Sequence, residues 1–420
     1  MRRDMGCNRI DHTLSRRGFL AGSAAGSLTA GGLLTPVQAQ DLKQGQKRLL
    51  QIFLQGGLSQ FESFDPKPGT RHGGPFRQIE TSVPGISLCE LLPHMATRMH
   101  LMSIVRSINL KTNDHGLGRL FMEKGRSTGD FPYVGAVAAK YLAPPSPPLP
   151  GYLHITTRGL TDNTNAFLEA QHAQLKLPGA RAPENLSPPD SLTLEAARRR
   201  AEFRQKLNQR FSRGSGQKAL TEQFDSSFEM AERLMAKKGL LEAPPSDSDV
   251  ARYGSHPFAS RCVLARNLLQ HGATVVKVTH HGYDTHAENF NFHLEQLGEF
   301  DRSFCMLLDD LQESGLLDST LVVIYSEFGR TPKVNQRYGR DHWGASVSIA
   351  LGGCGIRPGI VVGATNKEGT EVADREVDGG HLFHTYLEAL GLDPTRDHDL
   401  PGKSIPIGDP ARSSIEELLA

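Results

Sequence analysis

Acids and imidazoles recur in this sequence at the ends of apolar runs. Residues 321–325 break into Ser326-Glu327-Phe328-Gly329-Arg330, and a short basic loop then delivers Asp341-His342-Trp343. The run 274–279 leads into His280-His281-Gly282-Tyr283-Asp284-Thr285-His286, and the run 49–54 into a glycine-rich turn carrying Ser59, Gln60, Glu62 and Asp65. Thr112-Asn113-Asp114-His115 follows a further run at 99–105. Clustered Asp, Glu and His without Cys is the ligand set of zinc, manganese, magnesium or calcium: imidazole nitrogen suits zinc and manganese, and carboxylate offsets the cation's charge. Asp284 and His286 stand two apart, so an extended loop turns both side chains the same way. Plainer readings stand beside this one. Asp284 fits the cap of a helix starting near Glu288, Glu327 an ion pair with Arg330 or Arg340, and His342 a hydrogen-bonded neighbour of Trp343. Their joint placement after successive apolar runs favours a common site.

The elements that must position these residues alternate. Strands are expected at 49–54, 99–105, 274–279, 321–325, 346–351 and 360–363, and helices at 133–142, 258–269, 288–314 and 380–390. Residues 191–240 are charged and helical in period, broken at 214–216 and followed by a Pro/Ser/Asp linker at 244–249; a helical insert over about 190–250 is expected. Strands separated by helical patterns predict an α/β fold, a mostly parallel sheet sandwiched by helices, with ligands at the carboxyl ends of the strands.

Composition sets the frame. The 420 residues are 38% apolar and 22% charged, ordinary for a globular chain able to bury a core. A formal net charge of +1 gives no global pull toward nucleic acid. Ser15-Arg16-Arg17-Gly18-Phe19-Leu20 ahead of a Gly/Ala/Ser-rich run, then Val37-Gln38-Ala39, is similar to a twin-arginine export signal over 1–39, with the mature domain over 40–420. The run falls short of the roughly 20 apolar residues that span a bilayer, so no stable membrane span is expected in the mature form. Periplasmic or extracellular residence follows, with the twin-arginine translocase as the partner during export. Cys89, Cys262, Cys305 and Cys354 are scattered, with no C-x-x-C pair, and read as small buried hydrophobes. There is no haem site and no Rossmann glycine pattern, which leaves a redox carrier without support.

The segments GGLSQFESFDPKP, NDHG, GYDTHAENF, SEFGRTP and GRDHW, in this order over essentially the whole mature chain, resemble the DUF1501 family of exported bacterial proteins, itself similar in fold to the alkaline phosphatase and sulfatase superfamily. The resemblance implies an alkaline phosphatase-like domain with a divalent metal site of zinc, manganese or calcium. By analogy Asp284 and His286 form one ligand set, Glu327 stands where the superfamily places the Asp of an Asp-His pair, and His342 is the late histidine; Glu62 and Asp65 are further candidate ligands. Phe328 occupies the place of the second His of that pair, and Gln60 stands where family members often carry His. The implied reaction is hydrolysis of a phosphate or sulfate-type ester, with a small molecule or a glycan ester as substrate. Arg330, Arg340 or Lys333 would stabilise charge, Ser59 or Thr112 would serve as nucleophile, and His115 would be acid, base or ligand. The Cys/Ser-x-Pro-x-Arg signature of sulfatases is absent. A catalytically silent protein of the same fold, binding metal, a glycan or a partner, remains the alternative.

Overall fold

The computed structural model describes residues 45–157, 163–183, 186–187, 189, 191–215, 218–400, 402 and 404–420. The expected signal at 1–39 lies outside the described residues. Residues 44–420 form one compact unit. Its centre is an eight-stranded sheet whose strands, in chain order, are β1 (Arg48–Gln55), β2 (Met102–Ile108), β3 (Tyr152–Thr156), β4 (Leu175–Pro178), β5 (Val275–His281), β6 (Thr320–Tyr325), β7 (Val347–Gly353) and β8 (Val361–Val362). Their spatial order is β8-β2-β7-β6-β1-β5-β3-β4. Every neighbouring pair is parallel except those of β7, which runs antiparallel to both β6 and β2.

Burial on both faces explains why β1 reads as a nearly unbroken apolar run. Leu50, Ile52 and Leu54 enter one core cluster while Leu49 and Phe53 enter the other, the period-two alternation of a strand. The first cluster is closed by helices α5 (Pro257–Gln270) and α6 (Asn289–Glu313); the second by α1 (His115–Lys124), α2 (Val134–Leu142) and α7 (Gly379–Ala389). Between β4 and α5 lie two long helices, α3 (Leu194–Ser215) and α4 (Lys218–Ala236).

The sequence-expected elements at 49–54, 133–142, 258–269, 274–279, 288–314, 321–325, 346–351 and 380–390 correspond to β1, α2, α5, β5, α6, β6, β7 and α7 within a few residues. Three differences have physical causes. The strand expected from Met99 begins at Met102, after a single 3-10 turn over Met99–Leu101. Strands β3 and β4 carry Pro and Gly at their margins, and β4 is four residues long, too short for a periodicity to show. Helix α1, which contains two glycines, is not among the expected elements.

Topology carries the polar segments to one place. Because β1, β5 and β6 are mutually parallel, their carboxyl ends share one edge. β2 runs in the same sense as β6, two antiparallel steps away, so its following loop and the start of α1 arrive there too. β7 runs oppositely and begins at that edge, which brings the preceding His342 segment across it.

Candidate metal centre

The acid that ends β6 is buried among donors. Glu327 is 2% exposed, accepts from the Gly56 N–H through Oε1 and Oε2 at 2.9 and 3.1 Å, and accepts from Ser326 Oγ at 3.0 Å. Gly56 sits at φ +123°, and a Cβ there would collide with the backbone of Asp284, so a side chain would drive the two loops apart. Gly118 in α1 lies against the Glu327 carbonyl, where a Cβ would also collide. That close approach delivers the first residue of the helix, His115, onto Glu327. Asp114 caps the helix, its Oδ1 accepting from Leu117 N at 2.8 Å.

Each of three imidazoles is oriented by an acceptor at Nδ1. His115 Nδ1 is 2.8 Å from Glu327 Oε1, His286 Nδ1 is 2.7 Å from Asp341 Oδ1, and His342 Nδ1 is 2.8 Å from the Asn113 carbonyl. A carbonyl accepts only, and an ionised carboxylate accepts only, so each Nδ1 carries the proton. In the neutral rings every Nε2 therefore presents a lone pair. These nitrogens converge on Asp284: His342 Nε2 and His286 Nε2 stand 3.1 and 3.2 Å from its Oδ1, and His115 Nε2 stands 3.4 Å from its Oδ2. His286 Nε2 and His342 Nε2 are 2.9 Å apart.

Two lone pairs at that distance repel unless a proton or a cation lies between them. Ligand atoms around a four-coordinate zinc, with bonds of about 2.0–2.2 Å, stand roughly 3.3 Å from one another, close to the separations seen here. Nδ1 bound to a carboxylate or carbonyl with Nε2 turned inward is the usual support of a metal-binding histidine. The donor set thus fits a divalent cation. His115, Asp284 and His342 offer ligand atoms within 4.8 Å of one another. The cluster is open to solvent, with side-chain exposures of 48% for Asp284, 40% for His115, 36% for His286 and 22% for His342.

Electrostatics suit the same reading. Burial works to raise the Asp284 carboxyl, but the hydrogen bond and charge of Arg330 override it and hold the group at about 2. His115 is raised above its usual 6.5, chiefly by its hydrogen bond to Glu327. His342 is lowered by desolvation, which keeps it neutral near neutral pH. The His286 hydrogen bond is the leading cause of a lowered Asp341 carboxyl.

The other expected site residues are engaged elsewhere. Glu62 pairs with Arg340 at 3.0 Å, both fully buried, and Asp65 pairs with Lys67 at 2.9 Å and accepts from Thr365 Oγ1. Neither reaches the histidine cluster. Arg330, expected to meet a substrate anion, is fully buried: Nε donates to the Gly57 carbonyl at 2.9 Å, Nη1 to the Arg340 carbonyl at 3.0 Å, and Nη2 to the Gly56 carbonyl and, at 2.6 Å, to Asp284 Oδ1. Arg340 is occupied likewise by the Thr331, Pro332 and His72 carbonyls and Glu62. Lys333 is exposed. Ser59 is buried, its N–H donating to His293 Nε2 at 3.1 Å, and Thr112 Oγ1 accepts from Asp114 N at 3.2 Å, the contact of a turn residue. Gln60 bonds both backbone polar groups of Arg330 at 2.9 Å, and the Phe328 ring packs 4.7 and 4.4 Å from the His115 and His342 rings.

Sequence reasoning did not single out Asp341 or Asn113, which hold His286 and His342. Asp341 stands beside His342 in GRDHW, a visible but ambiguous signal; a backbone carbonyl such as that of Asn113 leaves none.

Among solved structures, the chain is similar to a sulfatase from Pseudoalteromonas sp. (13% identity, 86% of this chain and 72% of that chain, TM-score 0.37). It is also similar to the phosphonate monoester hydrolase of Silicibacter pomeroyi (14%, 86% and 76%, TM-score 0.35) and to the lipoteichoic acid synthase of Listeria monocytogenes (10%, 90% and 81%, TM-score 0.39). At these identities the likeness concerns the fold. No curated protein matches. The family model described as "Protein of unknown function (DUF1501)" matches residues 46–419, and the chain belongs to that family.

Proposed function

We propose that this protein is an exported metal-dependent hydrolase of phosphate or sulfate-type esters, with Asp284, His286, His342 and His115 as the residues that hold the cation. The observation that carries the reading is the shared orientation: three imidazoles, each with Nδ1 against an outer acceptor, turn Nε2 toward one carboxylate. A nitrogen-rich donor set favours zinc or manganese over calcium. When bound, the cation would supply Lewis-acid polarisation of an ester oxygen and activation of water. The chain's own contribution is orientation and proton handling. Glu327 fixes the His115 ring and raises its affinity for a proton, which suits that imidazole to deliver a proton to a leaving oxygen when it is not a ligand. Arg330 keeps Asp284 ionised. Export rests on the arginine pair and small-residue pattern of the first 39 residues. No helix among the described residues is long and apolar enough to cross a membrane.

One observation favours a second reading. The donors of Arg330 and both terminal nitrogens of Arg340 are committed to carbonyls and carboxylates, and neither candidate hydroxyl contacts the cluster. A silent metal-, glycan- or partner-binding protein of this fold needs neither. The test uses Trp343, the chain's single tryptophan, adjacent to His342. Zinc, manganese and calcium are titrated against its fluorescence, bound metal is measured by mass spectrometry, and the loaded protein is assayed on aryl phosphate and sulfate esters. Saturable binding with turnover, both lost in Asp284→Ala, is expected. Binding without turnover across metals and pH would leave the second reading, and no metal binding would overturn the first and leave only a glycan- or partner-binding role.

A further inference from the structure

Helix α3 presents an anomaly of burial. Over 195–213 no side chain is buried, although the helix runs for 22 residues. Helices of this length normally owe their stability to an apolar face packed on the rest of the molecule. Here the largest apolar side chains point outward: Phe203, Leu207 and Phe211 are 63%, 48% and 50% exposed. They recur every four residues and so lie along one face. Lys206, Arg210 and Arg213, all exposed, border that stripe at three- and four-residue spacings, with Arg199 at its near end. Seven arginines and lysines on α3 (198, 199, 200, 204, 206, 210 and 213) face two acids, Glu195 and Glu202. Arg199 pairs with Glu195 and Arg204 with Glu232. The neighbouring α4 adds Phe224 and Phe228, 55% and 43% exposed. Half of the ten exposed large hydrophobics among the described residues thus lie on this one helical pair, far more than chance scatter over the surface would place there.

We propose that the α3 face is a docking surface for an anionic phospholipid bilayer, on which the helix lies flat with its aromatic stripe at the headgroup boundary. Charge complementarity selects the occupant. A soluble polyanion would satisfy the cations and leave Phe203, Leu207 and Phe211 in water, and a neutral apolar partner would leave the cations unpaired. A bilayer carrying acidic headgroups meets both, because cations attract to the surface and aromatic or aliphatic side chains enter the interface. The surface belongs to a segment separate from the histidine cluster, so it would hold the protein at a membrane without occupying the site.

The test is flotation of the full chain with vesicles of phosphatidylglycerol and of phosphatidylcholine. Expected are binding to the first, at least about tenfold weaker binding to the second, and weakening of the first by salt. Two variants are compared: Phe203→Ser with Leu207→Ser and Phe211→Ser, and Lys206→Gln with Arg210→Gln and Arg213→Gln. Each should lose vesicle binding at least about tenfold. Both should keep the wild-type helical circular dichroism and metal content, which separates lost docking from lost folding. Absence of wild-type binding to phosphatidylglycerol overturns the proposal. So does binding that the serine variant retains, which would mark a general polyanion site, or a concentration-dependent dimer abolished by the serine variant, which would mark a second copy as the occupant.

Discussion

The two ends of helix α1 hold opposite kinds of polar cluster. At its last turn Glu123, fully buried, pairs with Lys277, accepts from Tyr325 OH and accepts from Gln51 Nε2 at 3.3 Å. The Lys277 ammonium also lies 4.8 Å from the Phe53 ring centroid. This centre sits in the core between helix and sheet, its two charges matched, with Gln51 Oε1 left without a partner. At its first turn His115 joins a group that is open to water and in which acceptors outnumber donors on the inner side: three Nε2 atoms and a carboxylate. Each cluster is built around a carboxylate, Glu123 on α1 in one and Asp284 in the loop after β5 in the other. What separates structure from candidate function is whether the charges are matched within the protein. A closed set rigidifies the fold, whereas a surplus of inward acceptors asks for a cation from outside.

Four predictions bear on this contrast. The largest effect is expected from Glu123→Ala, which strands a buried ammonium and should cost roughly 3–5 kcal/mol in denaturant unfolding. A loss below 1 kcal/mol would mean that the buried centre is not closed as described. Glu327→Gln should lower metal affinity roughly 10- to 100-fold, since the amide loses the charge that supports His115 and its NH2 group would face the Gly56 N–H in place of Oε2. Isothermal titration with zinc reads this, and unchanged affinity would remove Glu327 from the support of the site. The third effect is pH. His115 is raised above 6.5 and must lose its proton to bind, so metal affinity should fall as pH drops from about 8 to 6. Without metal the slope reverses: the His115–Glu327 contact stabilises fully below the unfolded value near 6.5 and is lost as pH rises through the higher folded value. Parallel slopes with and without metal would contradict the assignment. The smallest effect belongs to Glu123→Leu combined with Lys277→Met, which removes both buried charges and should leave stability within about 2 kcal/mol of wild type and metal affinity intact.

Much of the fold was legible because strands buried on both faces, and helices such as α6 with its period, leave strong local signals. The family resemblance was legible in motifs that cluster at strand ends. The assembly at one edge follows from parallel pairing, so Asp284, His286 and His342 were readable as neighbours. The partners of the remaining acids were not. Glu62 lies 278 residues from Arg340 and Asp65 lies 300 from Thr365, and nothing local distinguishes an acid buried with an arginine from an acid facing a metal. Arg330 looked like an anion binder because its sequence context is basic. Only the fold shows its donors spent on the carbonyls of the glycine turn. The same turn chemistry hid α1, whose glycines permit the approach that sets His115 in place.

Arg330 has a consequence for the order of events in the life of the molecule. Its one side chain reaches back 274 residues to the turn after β1 and ties that turn to Asp284 and to Arg340. Without that tie Asp284 would lose the contact that orients it and the histidines their common target. A partly folded chain would then offer an ion little beyond the local Asp284 and His286. Binding confined to the native state stabilises it by an amount that grows with free ion concentration. The cation would therefore act late, on a finished chain, and scarcity of the ion would be felt as lower stability of the native state.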